Sequence, residues 1–233
     1  MKAIQLNLPG SNDFFTEEAY KVLRTNLQFC GKDVKVIVIT SCNENEGKST
    51  VSLHVAKSFA ELGKKVLLID ADMRKSVIAG RNTTVTKPNG LSEVLTGLTT
   101  LEECLYPVEN SSMKILFAGK YPPNPVELLN SKYFEELIKN CRTEYDYIIL
   151  DTPPLGLVID AAVVAKQADG VVMIISNTKV HYKDAQNVVN LINKSGSKML
   201  GVIRNNTNKA KGRYSYRKQG YRSYYSSKSQ QPD

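Results

Sequence analysis

The chain has 233 residues, of which 42% are hydrophobic, and its formal net charge is +8. That length suits one α/β domain with short extensions. The four cysteines are scattered without a CxxC pair and the two histidines lie far apart, which argues against a zinc site or a disulfide framework. Because no apolar run approaches the roughly 20 residues that span a bilayer, and the first residues lack the apolar core of a signal peptide, we expect a cytoplasmic protein.

The positive charge is concentrated at the C-terminus. Residues 205–233 contain seven lysines and arginines against one acidic residue, Asp233, which gives this segment a net charge of +6. The rest of the chain is near neutral. The high calculated pI therefore describes the end of the chain and does not favour nucleic-acid binding by the whole domain.

The predicted elements alternate between helices and strands. The chain is expected to begin with a helix from Phe14 to Phe29, with Thr16 as its N-cap. The predicted strands are 34–40, 65–70, 113–119, 145–151, 170–176 and 198–203, and the predicted helices between them are 49–62, 125–141, 160–168 and 182–195. This alternation predicts an α/β fold with a mainly parallel sheet and helices on both faces. After Asn206 the composition is typical of a disordered tail.

A phosphate-binding loop is predicted between the first strand and its helix, where the sequence reads SCNENEGKST (41–50). In such a P-loop, successive backbone N–H groups and a helix N-terminus cradle phosphate oxygens. Lys48 would reach the β- and γ-phosphates of ATP, and the Ser49 hydroxyl would ligate Mg²⁺. The nucleotide contacts predicted in this loop are Asn45, Glu46, Gly47, Lys48, Ser49 and Thr50. The strict pattern has glycine where this chain has Cys42, so a helix start rich in small residues is the alternative.

Acidic residues end two of the predicted strands. Asp70 and Asp72 follow one buried run, and Asp151 follows another. Ligands of open α/β sheets bind at the carboxyl ends of the strands, so these carboxylates should converge on the P-loop. Asp151 is predicted to bind Mg²⁺ through the Walker B role, and Asp70 or Asp72 to accept a proton or to hold a metal-bound water. Arg74 is expected either near the phosphates or in a salt bridge.

Five tyrosines cluster in the C-terminal segment: Tyr214, Tyr216, Tyr221, Tyr224 and Tyr225. They sit among Arg, Ser and Gly rather than among apolar residues, so they are not core residues. We interpret them as phosphoacceptors. Five phosphates would add about −7 to −10 charge units and reverse the sign of the segment. The alternative is a basic aromatic tail that binds nucleic acid or an anionic membrane.

Three motifs together resemble the bacterial tyrosine kinases of capsule and exopolysaccharide synthesis: EGKST, LLIDADMR and IILDTPP. Further similar segments are EEAYKVLRTNLQF (17–29), GLSEVL (90–95) and AGKYPPNPVELL (118–129). The resemblance covers roughly residues 15–206. It implies Lys48, Asp70, Asp72 and Asp151 as catalytic residues, Ser49, Asp70 and Asp151 as metal ligands, and ATP with Mg²⁺ as cofactors.

The resemblance also implies an organisation. Residues 1–32 would form a subunit-contact helix, residues 33–206 the kinase domain and residues 207–233 the tyrosine-rich tail. Subunits would form a ring through Glu18, Lys21 and Arg24, although Lys21 stands where the family commonly has arginine. A transmembrane polysaccharide co-polymerase would activate the kinase and recruit it to the inner face of the membrane, and a protein-tyrosine phosphatase would reverse the modification.

Two other functions remain open at the level of sequence. One is an ATPase switch of the partition or division-site type, but Asn43 stands where those proteins carry an additional lysine. The other is a nucleotide-binding scaffold without catalysis. Arg204 and Asn205 follow the last predicted strand, and Asn205 is predicted to contact the nucleotide near its base, although a simple strand-end turn would explain both residues equally well.

Overall fold

The computed structural model describes residues 3–8, 13–82, 88–176 and 180–205. The tyrosine cluster therefore lies outside the described residues. The nine helices found within these ranges are α1 (Phe14–Phe29), α2 (Lys48–Ala60), α3 (Ile78–Asn82), α4 (Leu91–Leu95), α5 (Leu101–Cys104), α6 (Pro125–Leu129), α7 (Lys132–Glu144), α8 (Asp160–Ala165) and α9 (Tyr182–Lys194).

One sheet of seven strands organises the described part of the chain. The strands are β1 (Val36–Ser41), β2 (Val66–Asp70), β3 (Leu105–Pro107), β4 (Met113–Leu116), β5 (Tyr147–Asp151), β6 (Gly170–Ser176) and β7 (Met199–Asn205). Their order is β3-β4-β2-β5-β1-β6-β7. All neighbours pair in parallel except β3 and β4, which are antiparallel. The predicted α/β fold is thus confirmed.

Apolar side chains cover both faces of the sheet. In β1, Val36 and Val38 point into a cluster that includes Phe134 of α7, while Ile37 and Ile39 point into a second cluster with Phe59 of α2. Neighbouring side chains of a strand face opposite sides. A strand buried on both faces therefore needs the continuous β-branched run that the sequence has here.

Two local predictions need correction, and one strand was missed. The N-cap of α1 is Asp13, whose side chain accepts hydrogen bonds from Thr16 N at 3.1 Å and Thr16 Oγ1 at 2.8 Å, so Thr16 is not the cap. The helix predicted over 125–141 is two helices, because Ser131 caps a new one by accepting from Phe134 N at 3.4 Å. The short antiparallel strand β3 was not predicted, since three residues show no periodicity.

Helix α1 packs on α2. Arg24 Nη1 donates to the Ser58 carbonyl at 2.7 Å, and the Tyr20 ring stacks on His54 with centroids 4.3 Å apart. Lys21 and Glu18 form an exposed ion pair at 2.7 Å. The predicted contact residues are thus partly engaged within their own chain, and their role between subunits stays a prediction. No helix in the described ranges is long and apolar enough to cross a membrane.

Candidate active site

The P-loop joins β1 to α2 and contains two residues with positive φ. Asn45 has φ 60° and Gly47 has φ 89°. The second position requires glycine for two reasons, because side chains disfavour this backbone region and because a Cβ would overlap Asn205 Nδ2. The loop therefore brings its backbone close to the end of β7.

The buried side chain of Glu46 holds the P-loop in place through hydrogen bonds. Its side chain is 3% exposed. Oε2 accepts from Asn43 N at 2.8 Å, and Oε1 accepts from Ser176 N at 3.1 Å, at the end of β6. Asn205 Nδ2 donates to the Glu46 carbonyl at 2.9 Å. The side chains of Glu46 and Asn205, both predicted to contact nucleotide, are therefore used to fix the loop to two strand ends. Asn205 is the last residue of β7 rather than a residue after it.

Cys42, which stands where the strict P-loop pattern has glycine, is buried in the core. Its side chain is 1% exposed, and its sulfur lies 3.8 Å from Met173 Sδ. Burial raises the pKa of the Cys42 thiol to about 11, and the charge of Glu46 adds to the rise. The thiol is thus part of the core, and Cys42 does not line the cavity in front of the P-loop.

The two acidic strand ends meet beneath the P-loop. Asp70 and Asp151 are direct partners in the β2–β5 register, and both are almost completely buried. Asp70 accepts from the Ser76 hydroxyl at 2.5 Å and from Asp72 N at 3.1 Å. Burial and then the charge of Asp151 raise the pKa of Asp70 well above its usual range.

Asp151 keeps one oxygen without a partner. Oδ1 accepts from Ser52 Oγ at 2.9 Å, but Oδ2 is buried and has no hydrogen-bond partner among the described residues. Burial raises the pKa of Asp151 to about 6, and the nearby Ser49 hydroxyl and Lys48 ammonium oppose the rise. A buried carboxylate oxygen beside a P-loop serine fits Mg²⁺ or its bound water. Sequence reasoning missed Ser52, whose signal is its place one turn after Ser49 on the same helix.

Arg74 forms the salt bridge that was one of its two predicted roles. Its Nε donates to Asp160 Oδ1 at 2.8 Å, and the other oxygen of that carboxylate is buried without a partner among the described residues. Asp72 Oδ1 accepts from Lys75 N at 2.9 Å. Lys75 in turn pairs with Glu44 at 2.7 Å. Two cationic side chains are thus held beside the P-loop.

A cavity of about 330 Å³ lies in front of these groups. Its lining includes the polar residues Lys48, Ser49, Asp72 and Arg74 together with several apolar residues. The lining residues are Glu44, Asn45, Gly47, Lys48, Ser49, Thr50, Asp72, Arg74, Lys75, Val77, Pro153, Pro154, Leu157 and Val158. Asp70 and Asp151 lie behind this lining. In the described ranges, no group of three or more His, Cys, Asp or Glu is arranged to hold a metal ion by itself.

Comparison with known proteins identifies the family. Residues 34–204 match the family model described as an AAA domain. The chain is 40% identical over 199 residues to tyrosine-protein kinase CpsD of Streptococcus agalactiae, covering 85% of this chain and 87% of that protein. It is 39% identical over 192 residues to tyrosine-protein kinase YwqD of Bacillus subtilis, covering 81% and 80%.

A solved structure gives the same result. The kinase domain of the Escherichia coli tyrosine kinase ETK superimposes with a TM-score of 0.80 at 30% identity, covering 84% of this chain and 78% of that domain. The chain therefore belongs to the family of bacterial tyrosine kinases.

Proposed function

We propose that this protein uses MgATP to phosphorylate the tyrosine cluster at the C-terminus of a neighbouring copy, and thereby regulates the synthesis and export of capsular or extracellular polysaccharide. The observation that carries the proposal is the P-loop placed directly over the buried Asp70–Asp151 pair, in a chain that supplies five acceptor tyrosines of its own. The kinase names of its relatives support the reaction type.

The residues present fit a magnesium nucleotide. Ser49 and Asp151 would hold Mg²⁺, with Asp70 close by, and Mg²⁺ would neutralise the charge that develops on the phosphates. Because Mg²⁺ keeps several waters and shares phosphate oxygens, it does not need a complete protein ligand set. Backbone N–H groups of residues 45–50 and the Lys48 ammonium would bind the phosphates, and the guanidinium of Arg74 would lie beside them.

We assign Asp72 as the carboxylate that takes the phenolic proton of the substrate tyrosine. A tyrosine oxygen attacks the γ-phosphorus, the bond from that phosphorus to the β,γ-bridging oxygen breaks, ADP leaves, and the phenolic proton moves to a carboxylate. Asp72 lines the cavity, whereas Asp70 does not. Asp70 instead accepts from the backbone N–H of Asp72 at 3.1 Å, which positions that residue.

The proposal also includes the organisation of the chain and its partners. Residues 1–32 would contact the next subunit through Glu18, Lys21 and Arg24, residues 33–206 would form the kinase, and residues 207–233 would be the substrate segment. A homo-oligomeric ring would present each tail to a neighbouring active site. A transmembrane co-polymerase would activate the kinase at the inner face of the membrane, and a phosphatase would remove the phosphates.

A phosphotyrosine assay with MgATP tests the proposal. It compares the intact chain, Lys48→Met, and a chain in which the five tail tyrosines are replaced by phenylalanine, each with and without the cytoplasmic segment of the co-polymerase. We expect signal in the intact chain only, mapped to the tail. Steady phosphate release without phosphotyrosine, abolished by Lys48→Met, would instead identify an ATPase switch.

A further inference from the structure

A second and larger cavity lies at the β3 edge of the sheet. Its volume is about 780 Å³, and it is bounded by residues of α4, α5, α7, β3 and β4. That volume is within the range of ligand-binding sites. None of its lining residues lines the cavity at the P-loop. This edge groove is therefore separate from the active site.

The edge groove combines an apolar floor with an acidic rim. Leu101, Leu105 and Leu137 are among the apolar residues that line it. Three glutamates also line it, namely Glu102, Glu136 and Glu144, and all three are exposed. Lys114 is the single basic residue in the lining, so the charge of the groove is −2. A complementary ligand would carry aromatic or aliphatic groups together with several positive charges.

Tyr145 directly follows the lining residue Glu144 but does not itself line the groove. Its side chain is 6% exposed, and its hydroxyl is buried without a hydrogen-bond partner among the described residues. Burial raises the pKa of Tyr145 to about 12, and Cys141, Glu144 and Glu102, which all line the groove, add to the rise. The hydroxyl thus lies close to the acidic residues of the groove but behind its lining.

We propose that the edge groove binds the basic, tyrosine-rich segment 207–233 of a copy of this chain while that segment is unphosphorylated. The segment has a net charge of +6 against the −2 of the groove. It places aromatic and basic residues side by side in the pairs Arg213-Tyr214, Tyr216-Arg217 and Tyr221-Arg222. In each pair, the ring would pack on the leucine floor and the guanidinium would meet the glutamate rim.

The chain length allows binding within one copy or between copies. Strand β7, which ends at Asn205, and strand β3 are at opposite edges of the seven-stranded sheet, so six spacings of about 4.8 Å separate them. The 28 residues after Asn205 extend to at most about 100 Å. If the proposed kinase activity holds, phosphorylation reverses the charge of the segment, and the acidic rim then repels it. The groove would therefore retain substrate and release product.

The test uses the intact chain with Lys48→Met, so that no phosphoryl transfer contributes, and with a fluorophore attached after Asp233. Anisotropy reports whether the tail is held. The groove variant carries Glu102→Gln, Glu136→Gln and Glu144→Gln. The control carries Glu109→Gln, Glu127→Gln and Glu135→Gln, which are exposed glutamates outside the groove with the same change in net charge. Far-UV circular dichroism and a thermal unfolding transition equal to that of the parent Lys48→Met chain show that both variants are folded.

We expect the groove variant to lower the anisotropy to that of free labelled peptide 207–233, while the control keeps the starting value. Excess unlabelled peptide should displace the tail, and the same peptide with five phosphotyrosines should need at least about tenfold more, since several ion pairs are lost together. Equal effects of the two triple variants, or a starting anisotropy already equal to that of free peptide, would overturn the proposal. Neither result depends on kinase activity.

Discussion

Asp70 and Asp151 face each other across adjacent parallel strands, and both are removed from water. Two carboxylates in this arrangement resist ionisation, because burial and mutual repulsion both disfavour the charged forms. Burial is the first cause of the raised pKa at each residue. The chain thus keeps negative charge beneath the P-loop at a cost to its own stability, which a bound cation would offset.

The cost appears as a pH dependence of stability. The pKa of Asp151 is raised from 3.8 to about 6, so the native state binds the proton more tightly than the unfolded state does. Stability therefore falls as pH rises from about 4 to above 6. Asp151→Asn removes the share of this loss of stability that comes from the Asp151 carboxylate. Urea unfolding without nucleotide should show that the variant gains about 1–3 kcal/mol relative to wild type between pH 4.5 and pH 8.

Asp33→Asn is the control for this measurement, because Asp33 is exposed and lies before β1. The change in its free energy of unfolding between pH 4.5 and pH 8 should equal that of wild type. An Asp151→Asn curve parallel to wild type would mean that Asp151 carries no buried charge penalty in the native state.

The same carboxylate should make magnesium nucleotide binding sensitive to acid. Asp151 must lose its proton before it can ligate Mg²⁺, so affinity should fall as pH drops through about 6, approaching tenfold per pH unit. Calorimetric titrations between pH 5 and pH 8 would measure it, and higher Mg²⁺ should restore binding at low pH. Asp151→Asn should retain only the pH dependence that comes from the nucleotide phosphates.

The sequence predicts the scaffold of this site well and the contacts of its side chains less well. The bounds Phe14–Phe29 of α1 and the strand ends at Asp70 and Asp151 follow from periodicity and from β-branched runs. In contrast, the bracing of the P-loop by Glu46 and Asn205 joins positions that are distant in the sequence, and no local pattern encodes such a pairing.

The choice of Asp13 over Thr16 as helix cap has a similar cause. Both residue types are good N-caps, and the sequence does not show which backbone will be extended at the helix start. Arg74 was predicted as either a phosphate contact or half of a salt bridge, and only the fold reveals that Asp160 lies within reach. Tertiary proximity decides each of these cases.

The Arg74–Asp160 pair should matter for stability because one partner is buried. Asp160 is 1% exposed, and Arg74→Ala would leave its carboxylate without a cation. We expect a loss of about 2 kcal/mol in the free energy of unfolding, less than for a fully buried pair because Arg74 is partly exposed. The double variant with Asp160→Asn should recover part of it. Lys75→Ala breaks the exposed pair with Glu44 and should cost at most about 0.5 kcal/mol.

Restoring the glycine of the strict P-loop pattern should harm this protein. Cys42→Gly removes a buried side chain that contacts Met173 and adds backbone entropy to the unfolded chain, so we expect a loss of about 1–2 kcal/mol in stability. Nucleotide affinity should change little, because Cys42 does not line the cavity. Cys30→Ala, at a half-buried position, is the control and should be nearly neutral. A gain in affinity from Cys42→Gly would show that the thiol restricts the P-loop.

Gly47 and Asn205 should behave as a coupled pair in nucleotide binding. Gly47→Ala meets both a positive φ of 89° and an overlap with Asn205 Nδ2, so the P-loop must shift and affinity should fall at least about tenfold. Adding Asn205→Ala removes the overlap but not the backbone strain, so part of the affinity should return. Asn205→Ala alone should weaken binding only a few-fold, through the lost bond to the Glu46 carbonyl.

Gly63→Ala separates strain from overlap. Gly63 has a φ of 72° but open space around its Cβ position, so the substitution should cost about 1 kcal/mol of stability and leave affinity unchanged. Fluorescent-nucleotide titrations of wild type, the two single variants and the double variant give the coupling free energy between positions 47 and 205. Additive losses at the two positions would mean that the end of β7 does not hold the P-loop in its binding geometry, since the overlap would then have no consequence for the nucleotide.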